Sequence, residues 1–168
     1  HPEQHTVTVR RLEDGSTYAL HYDKLLLSPG ARPGRPNLPG EDDPRVFTLR
    51  TVEDTLRIRA YLDEHPVRRA VVVGGGFIGL EVAENLKEAG MNVSVVEAAR
   101  QVMAPFDQDM SQILHKELSD HGIELILSDG VKAITEEKVI LNSGREVAAD
   151  TVVLAIGVVP ETGLAKDA

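Results

Sequence analysis

The spacing of apolar residues changes period along the chain, and the changes mark out its elements. "TVTVRRLEDGSTYALHY" (6 to 22) alternates apolar and polar positions on either side of Asp14-Gly15, which predicts two short strands around a tight turn. "YDKLLLSPGA" (22 to 31) is predicted as a third, apolar strand, completing a small β-meander. Thr51 and Asp54 have capping-box spacing at the head of "TVEDTLRIRAYLDEH", so a helix starts there and His65-Pro66 ends it. From Ala70 the pattern predicts a strand over 70 to 73, a glycine turn, a helix over 77 to 89 stopped by Gly90, and a strand over 93 to 97. That is a βαβ unit. A second helix, over about 109 to 121, is predicted to place Met110, Ile113, Leu114 and Leu118 on one apolar face, with Gly122 as its C-terminal signal. A strand over 123 to 127 follows, then three short alternating segments near 131 to 135, 138 to 142 and 145 to 148, the last two joined by Ser143-Gly144. "TVVLAIG" (151 to 157) is too continuously apolar to have a wet face and is predicted as a buried strand.

Between these regions lies "RPGRPNLPGEDDP" (32 to 44), whose prolines at 33, 36, 39 and 44 exclude a helix or a ladder-paired strand. It is predicted to be an ordered connector. A chain of 168 residues, 42% hydrophobic, can build one sizeable core, or one domain with pieces of a second. Its net charge of -9, with no basic run, argues against a nucleic-acid or anionic-membrane partner, so any anionic ligand has to be held by local geometry. The absence of cysteine removes disulfides, thiolate metal sites and a dithiol redox centre from within this chain, and leaves the compartment open on composition. No apolar run approaches the roughly 20 residues of a membrane helix, so no span is expected. The start "HPEQHTVTVR" reads as the interior of a longer protein. The histidines at 1, 5, 21, 65, 115 and 121 have no metal-ligand spacing, so no metal site is expected, and neither a nucleophile elbow nor a Walker lysine is present.

The candidate chemistry lies in "VVVGGGFIGLEVAENLKEAGMNVSVVEAAR" (71 to 100). Gly74, Gly76 and Gly79 occupy the three positions of G-x-G-x-x-G, with Gly75 between the first two, after a valine run and at the opening of a helix. The first glycine allows the tight turn, the second lets a pyrophosphate approach bare backbone, and the third lets the helix pack close to the sheet. The diphosphate then lies on the unpaired N–H groups at the positive end of the helix. Glu97 closes the second strand 18 residues after Gly79, where a carboxylate can accept both ribose hydroxyls of NADH and repel the 2'-phosphate of NADPH. NADH is therefore the expected dinucleotide. Arg100 is a solvated charge in one reading and a 2'-phosphate contact in the other.

The βαβ stretch, with "YDKLLLSPGARP" before it and "ADTVVLAIGVVPET" after it, resembles the FAD-dependent pyridine nucleotide-disulfide oxidoreductases. It is most similar to their coenzyme A-disulfide reductase, NADH oxidase and NADH peroxidase branch. The resemblance implies an α/β fold: a Rossmann-like parallel sheet with flanking helices, a β-meander, and strand pieces of a second, FAD-binding domain. It divides the chain into a tail of the first FAD-domain segment and connector (1 to 47), an NADH-binding domain (48 to 152) and a return strand (153 to 168). By resemblance, Phe77 gates the nicotinamide pocket, Ile78 lines it, Glu81 is the helix-borne carboxylate near nicotinamide and flavin, and Gly157 is the strand-end glycine at their junction. "SPGA" (28 to 31) and "VVPET" (158 to 162) depart from the family's usual Thr-Gly-Ala or Thr-Gly-Ser and Arg-Pro-Asn. The implied parent is a cytoplasmic, homodimeric flavoenzyme holding FAD, which passes hydride from NADH to flavin and on to a disulfide, peroxide or oxygen. This chain alone is expected to be inactive. The alternative is a non-catalytic NADH-binding sensor or interaction module.

Overall fold

Valine-rich strands that are apolar at every position need cover on both faces, and a parallel sheet between two layers supplies it. The computed structural model describes residues 1–167 and contains such a sheet. The chain divides into two compact units, one formed by His1–Arg32 with the segment from Pro160 onward, the other by Pro33–Val159.

In the smaller unit, β1 (Thr6–Arg10) and β2 (Thr17–His21) form an antiparallel hairpin in the register Thr6 to His21 and Arg10 to Thr17. The predicted Asp14-Gly15 turn is there, and the Asp14 carboxylate accepts the Ser16 N–H and O–H groups. The expected third strand over 22 to 31 is not formed, so the unit holds a hairpin rather than a meander. Leu26 is 87% exposed, and Pro29 removes a ladder donor; an apolar strand with no layer to cover it gains nothing from forming. β3 (Ala31–Pro33) follows, and the C-terminal segment ends in a short helix, Gly163–Asp167.

The larger unit is built on five parallel strands. They are β4 (Val46–Thr48), β5 (Arg69–Val73), β6 (Asn92–Glu97), β7 (Glu124–Leu127) and β11 (Thr151–Leu154), in the spatial order β4-β11-β5-β6-β7. Alternate side chains point to opposite faces. Ala70 and Val72 of β5, Val93 and Val95 of β6 and Val153 of β11 join one buried cluster with Val82, Ala83 and Leu86 of α2 (Phe77–Glu88). Ile58, Tyr61 and Leu62 of α1 (Val52–Glu64) and Leu118 of α3 (Gln108–Asp120) pack on its edge. Val71, Val73, Val96, Val152 and Leu154 point the other way, onto Ile134, Val139, Leu141 and Val147. Those belong to the antiparallel meander β8 (Val131–Ile134), β9 (Lys138–Leu141) and β10 (Glu146–Ala148), which covers the second face as the alternating segments predicted. β12 (Val158–Pro160) leads out of this unit.

The capping box of α1 is present in full: the Thr51 side chain accepts the Asp54 N–H, and the Asp54 carboxylate accepts the Thr51 N–H. Two expectations are corrected. β4 is a strand the pattern did not predict, three residues squeezed between the proline-rich connector and the Thr51 cap. The inward face of α3 is turned from the predicted one, since Met110 and Ile113 are 51% and 61% exposed while Ser111 is fully buried.

The start of β5 is tied to the start of β11 by Asp150. Its carboxylate accepts the Arg68 and Arg69 N–H groups at 2.9 Å each and the Arg69 guanidinium. The Arg69 hydrogen bonds first, then those two N–H groups, hold the Asp150 carboxyl at about 2 against the opposing effect of partial burial. A depressed carboxyl contributes stability that is present above its unfolded value of about 4 and lost as pH falls through about 2. With Arg69 half exposed, that contribution is on the order of 1 kcal/mol. Asp150→Asn is therefore expected to melt about 3 °C lower at neutral pH. Melting curves recorded from pH 5 downward should show the two proteins converging.

Candidate functional site

The glycine turn leaves β5 at Gly74, which adopts φ +107°, a backbone conformation open to glycine and strained for other residues. A Cβ there would also lie 2.4 Å from the Ala155 carbonyl oxygen, and one on Gly79 would lie 1.9 Å from the Gly74 carbonyl oxygen. Both glycines are thus required by the protein's own packing: they let α2 press directly on the turn and on the end of β11. Gly76 differs. A Cβ there would meet nothing within 4 Å, and its φ of -84° with ψ of -174° is extended backbone that any residue adopts. Its bareness serves open space.

That space is a cleft of roughly 680 Å³, lined by Gly74, Gly75, Gly76, Phe77, Ile78, Val96, Glu97, Asp129, Ile156 and Gly157 among others. α2 opens onto it with Gly76 as N-cap and no side-chain cap, so the N–H groups of the first turn have no partner from the protein's side chains. Glu97, at the end of β6, accepts the Gly75 N–H through Oε2 at 2.6 Å and the Ala99 N–H through Oε1 at 2.7 Å. The carboxylate is therefore fixed in orientation, and each oxygen keeps acceptor capacity toward the cleft. Phe77 is 67% exposed at the head of α2 and packs edge-on against Phe106, with ring centroids 6.5 Å apart. Asp129, held by the Ser143 O–H and N–H groups, has its carboxyl lowered chiefly by the Ser143 side chain. Among the described residues no lysine or arginine lines the cleft.

Of the residues singled out in the sequence, Gly74, Gly75, Gly76, Phe77, Ile78, Glu97 and Gly157 come together at this cleft. Gly79 stands behind it, against Gly74. Glu81 is not in the lining; it lies one helical turn after Phe77 and borders a separate groove with Leu80, Glu84 and Lys87. Arg100 is exposed and also outside the lining. Among the described residues no group of three His, Asp or Glu side chains converges as a metal site, and no helix is long and apolar enough to cross a membrane.

The wall that the sequence did not reveal is the loop after β6. Met103, Ala104 and Pro105 line the cleft, and the Met103 N–H donates to the Gly75 carbonyl oxygen at 2.8 Å. Their only mark in the sequence is Pro105, in a stretch with neither helical nor strand period. The arrangement suits an elongated ligand with an anionic middle at the helix N-terminus, a hydroxyl-bearing part at Glu97 and a flat ring at Phe77.

Residues 1–168 match the family described as "Pyridine nucleotide-disulphide oxidoreductase". The chain is 41% identical over 160 residues to the NADH oxidase of Methanocaldococcus jannaschii, covering 93% of this chain and 36% of that protein. It is 36% identical over 157 residues to the coenzyme A disulfide reductase of Staphylococcus haemolyticus, covering 94% and 35%. The water-forming NADH oxidase from Lactobacillus brevis bound to NADH superimposes with a TM-score of 0.82 at 30% identity, over 99% of this chain and 38% of that one. The chain spans little more than a third of the length of the curated relatives it matches.

The two kinds of glycine should separate in the thermal stability of alanine variants. Gly79→Ala drives a Cβ against backbone at 1.9 Å and is expected to cost about 3 kcal/mol. Gly76→Ala should cost below about 1 kcal/mol, the ordinary price of alanine at an N-cap.

Proposed function

The chain belongs to the pyridine nucleotide-disulphide oxidoreductase family, and from that premise we propose that its cleft binds NADH for an FAD-dependent NAD(P)H oxidoreductase of which this chain is the nucleotide-binding part. The observation that carries the reading is Gly76: nothing in the protein needs a bare backbone there, whereas a diphosphate approaching the N–H groups of α2 does. The domain assignment in the sequence reading, with 48 to 152 as the NADH-binding domain and the flanks as pieces of an FAD-binding domain, is part of the proposal. So is a homodimeric parent. The reduction of a disulfide, peroxide or oxygen is proposed for that parent and not for this chain alone.

NADH, when bound, supplies the hydride that the parent's flavin would accept. The chain's own work is positioning. The first turn of α2 and the bare edge of Gly76 hold the diphosphate by hydrogen bonds and the helix dipole, without a cationic side chain. Glu97, clamped by the Gly75 and Ala99 N–H groups, accepts the ribose hydroxyls. With a second carboxylate at Asp129 and, among the described residues, no lysine or arginine in the lining, the cleft disfavours the extra phosphate of NADPH. Phe77 and Ile78 give the nicotinamide an apolar surface, and Gly157 keeps the opposite lip free of a side chain. Glu81, on the same stripe of α2 as Phe77 by its i, i+4 spacing, is proposed to face the nicotinamide end once the parent is assembled.

Calorimetric titration at low salt tests this. Saturable binding of NADH is expected, at least about tenfold weaker for NADPH, a difference of about 1.4 kcal/mol. Gly76→Val should fold as the wild type does and lose NADH, because its side chain fills the space left for the diphosphate. If the wild-type chain binds neither nucleotide at millimolar concentration, the reading is wrong for this chain.

A further inference from the structure

The loop after β6 is gripped from two sides, and we propose that His115 is the positioning residue that holds it closed, fixing the cleft wall against which NADH binds; this rests on the nucleotide reading above. His115 Nε2 accepts the Val102 N–H at 3.2 Å. A backbone N–H can only donate, so in this bond the imidazole nitrogen is the acceptor.

What this bond holds packs directly behind the glycine turn. The Val102 side chain is fully buried, and its Cγ1 lies 2.7 Å from where a Cβ on Gly75 would be. Met103, the next residue, donates its N–H to the Gly75 carbonyl oxygen while its own backbone sits at φ +50°, a conformation that a methionine keeps only under constraint. The Gly75 N–H in turn orients Glu97. One line of contacts therefore runs from His115 through Val102 and Met103 to Gly75 and the carboxylate proposed to read the ribose. Four residues before His115 on the same side of α3, buried Ser111 accepts from Gln101 Nε2 at 2.9 Å, and that nitrogen also donates to the Phe106 carbonyl oxygen at 2.7 Å. The helix offers the loop acceptors where an apolar face was predicted. Removing the one at 115 leaves the Val102 N–H part-buried and unpaired, with the loop free to lift from Gly75.

His115→Leu removes the acceptor at similar bulk, and His115→Gln restores one near the position of Nε2. Two measurements on the 168-residue chain decide the matter, with thermal melting to confirm folding. In amide hydrogen exchange without nucleotide, Val102 and Met103 should be protected in the wild type and in His115→Gln and exchange markedly faster in His115→Leu. In NADH titration, His115→Leu should bind about 3- to 10-fold more weakly, the usual effect of one hydrogen bond, with His115→Gln within about twofold of wild type. Equal exchange and equal affinity in folded His115→Leu would overturn the proposal, as would a glutamine variant no better than leucine. If the wild type does not bind NADH, the nucleotide reading fails and the role in positioning falls with it, while the exchange data still show whether His115 holds the loop.

Discussion

The close approach of Gly79 to the Gly74 carbonyl oxygen is the constraint on which the site depends. With a Cβ at position 79 only 1.9 Å from that oxygen, α2 can sit where it does only because two backbones touch without side chains between them. That contact brings the N-terminus of α2 down to the level of the strand ends, so its uncapped N–H groups open onto the cleft. The packing behind it makes the seat rigid. Val82, Ala83 and Leu86 are buried against Ala70, Val72, Val93 and Val95, and the helix has little freedom to retreat. Sequence and packing meet here, because the residue type that permits the approach also leaves the head of α2 without a side-chain cap.

The electrostatics follow from the same geometry. A chain of net charge -9 whose cleft, among the described residues, is lined by two carboxylates and no basic side chain attracts an anion through oriented backbone dipoles. Such dipoles act over short distances, so an anion they hold has to sit on the turn itself. Glu97 sharpens this. By accepting two N–H groups it fixes the Gly75 peptide and holds its own negative charge at the cleft. On the proposed function, recognition of one phosphate group and rejection of another would come from one hydrogen-bonded unit.

Much of this was legible in the sequence where local physics and tertiary packing agree. The valine run, the three glycines, the Gly90 stop and Glu97 each satisfy a local rule and the global fold together, and the βαβ unit stands as predicted. The capping box of α1 and the three-strand meander were readable for the same reason. Elsewhere the deciding partner is remote. β4 is only three residues long, and its pairing with β11, about a hundred residues later, makes it a strand. Residues 22 to 31 have the composition of a strand and no layer to cover them, so composition alone misled.

The turned face of α3 shows why apolar periodicity can select the wrong side of a helix. Met110 and Ile113 carry the hydrophobic signal, yet Ser111, Leu114, His115 and Leu118 are the residues drawn inward. The neighbour of α3 over part of its length is the irregular loop after β6, and a loop differs from a strand in what it asks of its partner. Its N–H and C=O groups lack a ladder, so when the loop is covered they must be met by side chains. His115 meets the Val102 N–H, the Gln101 amide that Ser111 holds meets the Phe106 carbonyl, and Leu118 further along returns to the apolar core where the sheet resumes. The helix orients by hydrogen-bond demand at its first turns and by apolar burial at its last. A polar pair four residues apart facing a structureless stretch is the sign of this arrangement.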